Sequence, residues 1–154
     1  MRVVRVARRF PGSVHEAQKL WYDTSRWATW IDGLSHVAKV DGPWPESGAK
    51  VIWDSHPAGR GRVVERVVAY EALAGQSLEV EDKSIRGRQT IVFTPADIKV
   101  DVELTLEYEI KNRSILTPLI DLLFIRRAMI SSLGGTLTRF GVELAAERAA
   151  DGGH

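Results

Sequence analysis

Strict alternation of apolar and polar residues marks the segment from 98 to 111 as a strand with one buried face. Its apolar positions are Ile98, Val100, Val102, Leu104, Leu106, Tyr108 and Ile110. Successive side chains of a strand point to opposite sides of a sheet, so the pattern places one face on the core and the other in water. At the usual rise per residue this strand is about 45 Å long. A long apolar surface must therefore cover it.

Earlier segments also have strand composition and are separated by short links rich in turn residues. The predicted strands cover residues 2–10, 34–41, 49–55, 61–70, 77–82 and 86–94. Links such as "DGPWPESG" and "TPAD" are typical of turns. Six strands in succession from residue 34 onward, joined by such links, predict an antiparallel meander.

Two short helices are predicted between the first and second strands. Ser13 and Glu16 have the spacing of a capping box, which predicts a helix that begins at Val14. The stretch 27–31, "WATWI", is long enough for one or two helical turns packed on a larger body, and Gly33 ends it.

A long helix is predicted at the end of the chain. Thr117 and Pro118 have the character of an N-cap and a first-turn residue, and helical spacing continues to about Ala150. Gly134 and Gly135 interrupt it, which predicts a bend or a close contact at its centre. Its apolar stripe consists of Leu119, Leu122, Met129, Ile130, Leu133, Leu137, Phe140 and Leu144.

Composition excludes several classes of protein. The chain of 154 residues has 21 basic and 20 acidic residues, so its net charge of +1 gives no general attraction for nucleic acid. It has no cysteine, hence no disulfide or thiolate site. His36 and His56 lack a nearby third ligand, and we expect no metal and no cofactor. No segment has the length and hydropathy of a membrane span or a signal peptide, so we expect a cytoplasmic protein.

The order of these elements, with "DTSRWATWIDGL", "AKVIWDS", "GRGRVVERVVAYE" and the C-terminal "LTPLIDLLFIRRAMISSLGGTLTRFGVELAAE", resembles the polyketide cyclase/dehydrase and lipid-transport family. That family belongs to the START-like, or SRPBCC, superfamily. The resemblance implies an α+β helix-grip fold, in which a seven-stranded antiparallel sheet curves around the long C-terminal helix. It also implies a mostly apolar cavity between them for hydrophobic small molecules. We expect a single domain over residues 1–150 and a disordered tail over 151–154.

Nine residues are candidates for the lining of that cavity. Aromatic side chains bury large apolar areas with or without a ligand, so core packing is the alternative interpretation for the tryptophans. Trp44, between two prolines, is a candidate lid. The candidate ligand-binding residues are Trp27, Trp30, Trp53, Phe93, Tyr108, Leu122, Arg126, Met129 and Leu133.

Charged residues among these apolar positions need an explanation. Arg126 lies within the apolar stripe of the helix, so its guanidinium must reach the surface, a carboxylate or a ligand. The hydroxyl of Tyr108 needs a partner if it is enclosed. Arg62 and Arg66 raise the same question on the strand 61–70, whose two faces are both partly apolar.

The start of the C-terminal helix, from Leu119 to Ile125, is apolar almost all round because Ile120 and Phe124 lie away from the stripe. Flanking loops, a second subunit in a homodimer, or a membrane surface could cover it.

Three functions remain open. The preferred hypothesis is binding or transport of a hydrophobic molecule, lipid or polyketide-like, without catalysis. The alternatives are an aromatase/cyclase or dehydratase that uses general acid–base catalysis, and a protein-interaction domain.

Overall fold

The computed structural model describes residues 1–111 and the helix from residue 119 to residue 152. The proposed N-cap at Thr117 and Pro118 lies outside the described residues. The elements are β1 (Arg2–Pro11), α1 (Val14–Trp21), α2 (Trp27–Trp30), β2 (Leu34–Asp41), β3 (Lys50–Ser55), β4 (Arg62–Glu71), β5 (Gly75–Glu81), β6 (Ile85–Ala96), β7 (Lys99–Ile110) and α3 (Leu119–Gly152). A single 3₁₀ turn, Thr24–Arg26, precedes α2.

The seven strands form one antiparallel sheet in the order β1-β7-β6-β5-β4-β3-β2. The predicted meander is therefore confirmed, and β1 closes the far edge beside β7. Val100, Val102, Leu104, Leu106 and Tyr108 of β7 are all buried. Ile98 departs from the predicted pattern, because it lies in the turn between β6 and β7 and is 76% exposed.

The helices pack on one face of the sheet, where α3 contacts the edge strand β1 and α2 contacts the opposite edge strand β2. Ser13 and Glu16 form the predicted capping box at the start of α1, with the Ser13 Oγ accepting from the Glu16 amide at 3.0 Å. The helix α3 runs along β1 and also contacts α1 and α2. Within the part of the chain that the structure describes, no helix is both long and apolar enough to cross a membrane.

The α3 helix buries most of its predicted stripe. Leu122, Leu133, Leu137, Phe140 and Leu144 are buried. Ile130 is 39% exposed because it lies at the edge of the stripe. The helix also includes Asp151 and Gly152, the first two residues of the predicted tail.

The expected close contact in α3 occurs at a different glycine. Residues 134 and 135 lie within the uninterrupted helix, and a Cβ added at Gly134 would be no nearer than 3.4 Å to the flexible end of Arg8. A Cβ added at Gly141 would lie 2.5 Å from the ring of Phe10. Among the glycines of α3, Gly141 therefore lies closest to β1.

Candidate functional site

One row of paired residues crosses the inward face of the sheet. From β3 to β7 it consists of Val51, Glu65, Val80, Gly87 and Tyr108, each paired with the next. Four of these side chains are buried, and Gly87 contributes none. The row places a carboxyl group and a phenol on the buried face of the sheet, about 15 Å apart at the usual strand spacing.

Glu65 is the acidic member of this row. It is only 6% exposed and lies on the inward face of β4 between the buried Val63 and Val67. Burial raises the pKa of the Glu65 carboxyl from its ordinary value of 4.5 to about 7, against the smaller opposing effects of Arg60 and the Trp53 indole. A buried acid with this pKa changes its charge near neutral pH.

Arg60 and Asp82 form an ion pair beside Glu65. The Arg60 Nε donates to the Asp82 Oδ2 at 2.7 Å, and the Asp82 side chain is 2% exposed. The other oxygen of Asp82 accepts from the backbone amides of Ser84 and Ile85, at 2.7 and 2.9 Å. Asp82 is thereby fixed as the counter-ion of Arg60, and Glu65 is left without a dedicated cation.

Trp53 connects Arg60 to Glu65. The Arg60 guanidinium carbon lies 5.5 Å from the centre of the Trp53 ring, which is a cation–π distance. The indole nitrogen is close enough to Glu65 to lower its pKa, but it makes no hydrogen bond of normal geometry. We call Trp53, Arg60, Glu65 and Asp82 the interior polar cluster.

Several buried polar atoms at this site have no hydrogen-bond partner in the protein. Among the described residues they include Trp53 Nε1, Arg60 Nη2 and, at the other end of the row, Tyr108 Oη. Buried polar atoms are rarely left unpaired, because each costs about 1–3 kcal/mol when it loses its hydrogen bonds to water. These three atoms can bind a water molecule or a ligand.

The predicted tryptophans of α2 lie in an aromatic cluster with α1 and α3. Trp30 packs on Trp21, with ring centres 4.5 Å apart, and on Phe140 at 5.2 Å. The Trp27 indole donates to the backbone oxygen of Trp21 at 2.8 Å. Phe93 contacts Trp21 from the sheet, with ring centres 6.2 Å apart. These residues fill one end of the interior, and a role in ligand contact stays a prediction for them.

The α3 candidates lie over the sheet near β1. Leu122 and Leu133 are buried, and Met129 is half-buried against the core. The Arg126 guanidinium donates to the backbone oxygen of Val3 at 2.7 Å, so it reaches the free edge of β1. Its charge therefore lies at the sheet edge, as expected if the guanidinium reaches the surface.

Sequence analysis did not identify Glu65, although it named both neighbouring arginines. Arg62 and Arg66 face outward, and Arg62 pairs with Asp54 at 2.9 Å. Both faces of β4 carry valines, at 63 and 67 on one face and at 64 and 68 on the other, so the alternation of residues did not show which face is inward. The pairing of β4 with β3 identifies the inward face of β4, because its partners Val51 and Trp53 on β3 clearly face inward.

Trp44 closes the end of the interior next to α1. Its indole donates to the backbone oxygen of Tyr22 at 2.8 Å, and its ring centre is 5.4 Å from that of Trp27. Burial raises the pKa of the Tyr22 phenol, with Tyr70 adding to the effect, and the Tyr22 Oη has no partner among the described residues. These contacts fix the Trp44 indole against Tyr22 and Trp27, and its role as a lid stays a prediction.

The outer face of the sheet differs in character from the interior. It carries a depression of about 700 Å³, lined mainly by charged side chains of β4 to β7. Many of these charges are paired, such as Lys111 with Glu81 at 2.9 Å and Arg86 with Glu109 at 3.2 Å. Within residues 1–111 and 119–152, no group of three or more acidic or histidine side chains could hold a metal.

Comparisons with known proteins place this geometry in a family. The solved structure of TTHA0849 from Thermus thermophilus is similar, with 18% identity and a TM-score of 0.78, and the match covers 95% of this chain and 99% of that one. A conserved protein from Geobacillus kaustophilus has 15% identity and a TM-score of 0.72, with 94% of this chain and 96% of that one covered. Norcoclaurine synthase from Thalictrum flavum, in complex with dopamine and hydroxybenzaldehyde, has 12% identity and a TM-score of 0.68, with 95% of this chain and 87% of that one covered. These likenesses support the α+β helix-grip fold. No curated protein matches the sequence. Residues 1–145 match the family described as "Polyketide cyclase / dehydrase and lipid transport", and the chain belongs to that family.

Proposed function

We propose that the protein binds a hydrophobic small molecule between the inward face of the sheet and α3. The observation that supports this proposal is the row from Val51 to Tyr108 with the adjoining Trp53 and Arg60, because three buried polar atoms there, Tyr108 Oη, Trp53 Nε1 and Arg60 Nη2, have no hydrogen-bond partner among the described residues. Sites for small molecules typically combine apolar walls with a few well-placed polar groups. Apolar contact would supply affinity at about 25 cal/mol per Å² of buried surface.

Binding of a pure hydrocarbon tests this proposal without any polar group. Diphenylhexatriene fluoresces on entering an apolar site, so a titration of the delipidated protein should saturate at one molecule per chain. Native mass spectrometry of freshly purified protein, followed by denaturing extraction, would identify any bound hydrophobic molecule.

A matched pair of substitutions locates the site. Val80→Phe adds a ring on the inward face, next to Gly87, which contributes no side chain. It should weaken probe binding at least tenfold, or about 1.4 kcal/mol. Val92→Phe makes the same change on the outer face, where Val92 is 42% exposed, and should leave binding unchanged. Equal binding by both variants, each folded by circular dichroism, would place the probe elsewhere.

Catalysis in the same space is a second candidate, favoured by the pKa of Glu65. An acid–base catalyst works best when its pKa is near the working pH, and the pKa of Glu65 is about 7. The reaction class implied by the family is cyclisation or dehydration. The ligand extracted from purified Glu65→Gln, added to each protein and followed by mass spectrometry, should be converted by the wild type and only bound by Glu65→Gln. Unchanged ligand with both proteins would support a carrier.

The apolar start of α3 supports a proposal about assembly. Leu123 and Phe124 are 48% and 72% exposed, whereas Ile120 lies outside the described side chains. We propose that a second copy of the chain covers this surface, since a second subunit buries apolar surface that one copy leaves in water.

A further inference from the structure

The unpartnered atoms of the interior polar cluster are mostly donors. Arg60 Nη2 has no acceptor among the described residues, and Trp53 Nε1 makes no hydrogen bond of normal geometry although it lies close to the Glu65 carboxyl. Glu65 makes no side-chain hydrogen bond of normal geometry to another described residue, and in its protonated form it adds an O–H. Three donors can therefore serve one site, which favours a ligand atom that accepts hydrogen bonds.

The balance of charge in the cluster determines which acceptor fits. Arg60 and Asp82 already neutralise each other at 2.7 Å. A cationic ligand would lie beside Arg60, and an anionic ligand would add an unpaired negative charge to a buried site. Both are costly in a medium of low dielectric constant. A neutral acceptor leaves the cluster neutral as long as Glu65 keeps its proton.

Building on the proposed binding function, we propose that Trp53, Arg60 and protonated Glu65 bind the oxygen of a neutral carbonyl group, such as a ketone or ester, at one end of a hydrophobic ligand. The apolar part of the ligand would lie along the row toward Tyr108. The hydroxyl of Tyr108, which also has no partner among the described residues, is available for a second polar group.

Proton binding by Glu65 then controls the affinity. Ionisation of Glu65 removes one donor and adds a negative charge, so affinity should fall as the pH rises through about 7. The charged or titratable groups that face Glu65 are Arg60 from the preceding loop and Asp82 from the end of β5, while Tyr108 lies farther along the row. The Trp53 indole, which lies close to the acid on β3, does not titrate.

The test uses three ligands that share one alkyl chain and differ in the polar end. Methyl dodecanoate, dodecanoate and dodecylamine compete with diphenylhexatriene for the delipidated protein between pH 6 and pH 9. The ester should bind at least about tenfold more tightly than the amine, because the amine places a cation beside Arg60. Since neither the ester nor the probe titrates, any change in their competition reports the protein.

We expect ester affinity to fall by nearly tenfold for each pH unit above about 7, as loss of one proton requires. Glu65→Gln, whose amide is a permanent donor, should bind the ester at pH 6 and lose this pH dependence. Glu107→Gln, on the exposed face of β7, should retain the wild-type profile.

Each outcome separates this inference from the function on which it rests. If diphenylhexatriene does not bind, the proposed binding function is wrong. If it binds but the amine competes as well as the ester, or affinity rises with pH, the hydrocarbon site stands and the carbonyl assignment is overturned. Tight binding of dodecanoate alone would identify an anion site instead.

Discussion

Glu65 should make the stability of the protein depend on pH in an unusual direction for a carboxyl group. Its pKa is about 7 in the folded protein, against an ordinary value of 4.5. Between these values the native state holds a proton that the unfolded chain has lost, so stability falls as the pH rises. The resulting loss in the free energy of unfolding is about 3 kcal/mol above pH 7 and vanishes below pH 4.5.

Chemical denaturation of Glu65→Gln and wild type at several pH values measures this effect. The variant should be the more stable protein at pH 8, with the advantage disappearing near pH 4.5. Glu107→Gln provides the control, because Glu107 is exposed. A constant difference between Glu65→Gln and wild type across this range would mean that Glu65 ionises in the native state as it does in water.

Tyr108 and Trp27 allow a comparison of an unpartnered and a partnered buried polar group. The Tyr108 hydroxyl has no partner in the protein, so Tyr108→Phe should leave the free energy of unfolding of the ligand-free protein unchanged or raise it slightly. The Trp27 indole donates to the backbone oxygen of Trp21, so Trp27→Phe should lower the free energy of unfolding by about 1–3 kcal/mol. Urea unfolding measures both, and an equal loss would show that the Tyr108 hydroxyl is bonded in solution.

At the scale of the elements, α3 carries two glycines that should respond in opposite directions. Alanine at 141 would force its Cβ into the Phe10 ring, which is packed against Phe140 at 5.7 Å between ring centres. We expect Gly141→Ala to destabilise the protein by about 1–3 kcal/mol. Gly135→Ala meets only the ends of Arg139 and Asp32, at 3.8 and 4.0 Å, and should stabilise it by up to about 1 kcal/mol.

Thermal unfolding of the two alanine variants measures the difference in one experiment. Both substitutions change the helix propensity equally, so only the surroundings of the two positions distinguish them. A gain in melting temperature for both variants would mean that Phe10 can move away from α3 at little cost.

The elements could be predicted from the sequence because their burial repeats with a regular period. Alternation located β7, and helical spacing located α3. The phase of β4 could not be predicted, since valines occur on both of its faces and the inward face depends on pairing with β3. Glu65 was missed for that reason, and it is the central residue of the candidate site.

Contacts between elements that are far apart in the chain could not be predicted from the sequence pattern either. The close approach of α3 to β1 at Gly141 depends on where one aromatic ring of β1 lies, and the partner of Arg126 is a backbone oxygen. The order of side chains does not show which backbone oxygen will accept a hydrogen bond from a distant arginine. Trp53 and Tyr108 are buried as their positions on inward strand faces predicted, and their contact with a ligand stays a prediction.

At the scale of the whole molecule, the exposed apolar surface of α3 predicts self-association. Leu123 and Phe124 lie on the exposed side of the helix. We expect sedimentation equilibrium of the wild type to show a dimer that dissociates on dilution, since burying apolar surface supplies the free energy of association. Leu123→Ser with Phe124→Ser should give a monomer at every concentration.

Two controls decide whether this surface is responsible. Val142→Ser removes a side chain that is 64% exposed elsewhere on α3, and it should leave the dimer intact. Leu123→Ser and Phe124→Ser leave the interior polar cluster unchanged. Binding of diphenylhexatriene per chain should therefore be the same in this double variant as in the wild type. Wild-type protein that is monomeric at every concentration would overturn the dimer. Loss of probe binding in the serine variant would instead place the start of α3 at the entrance to the ligand site.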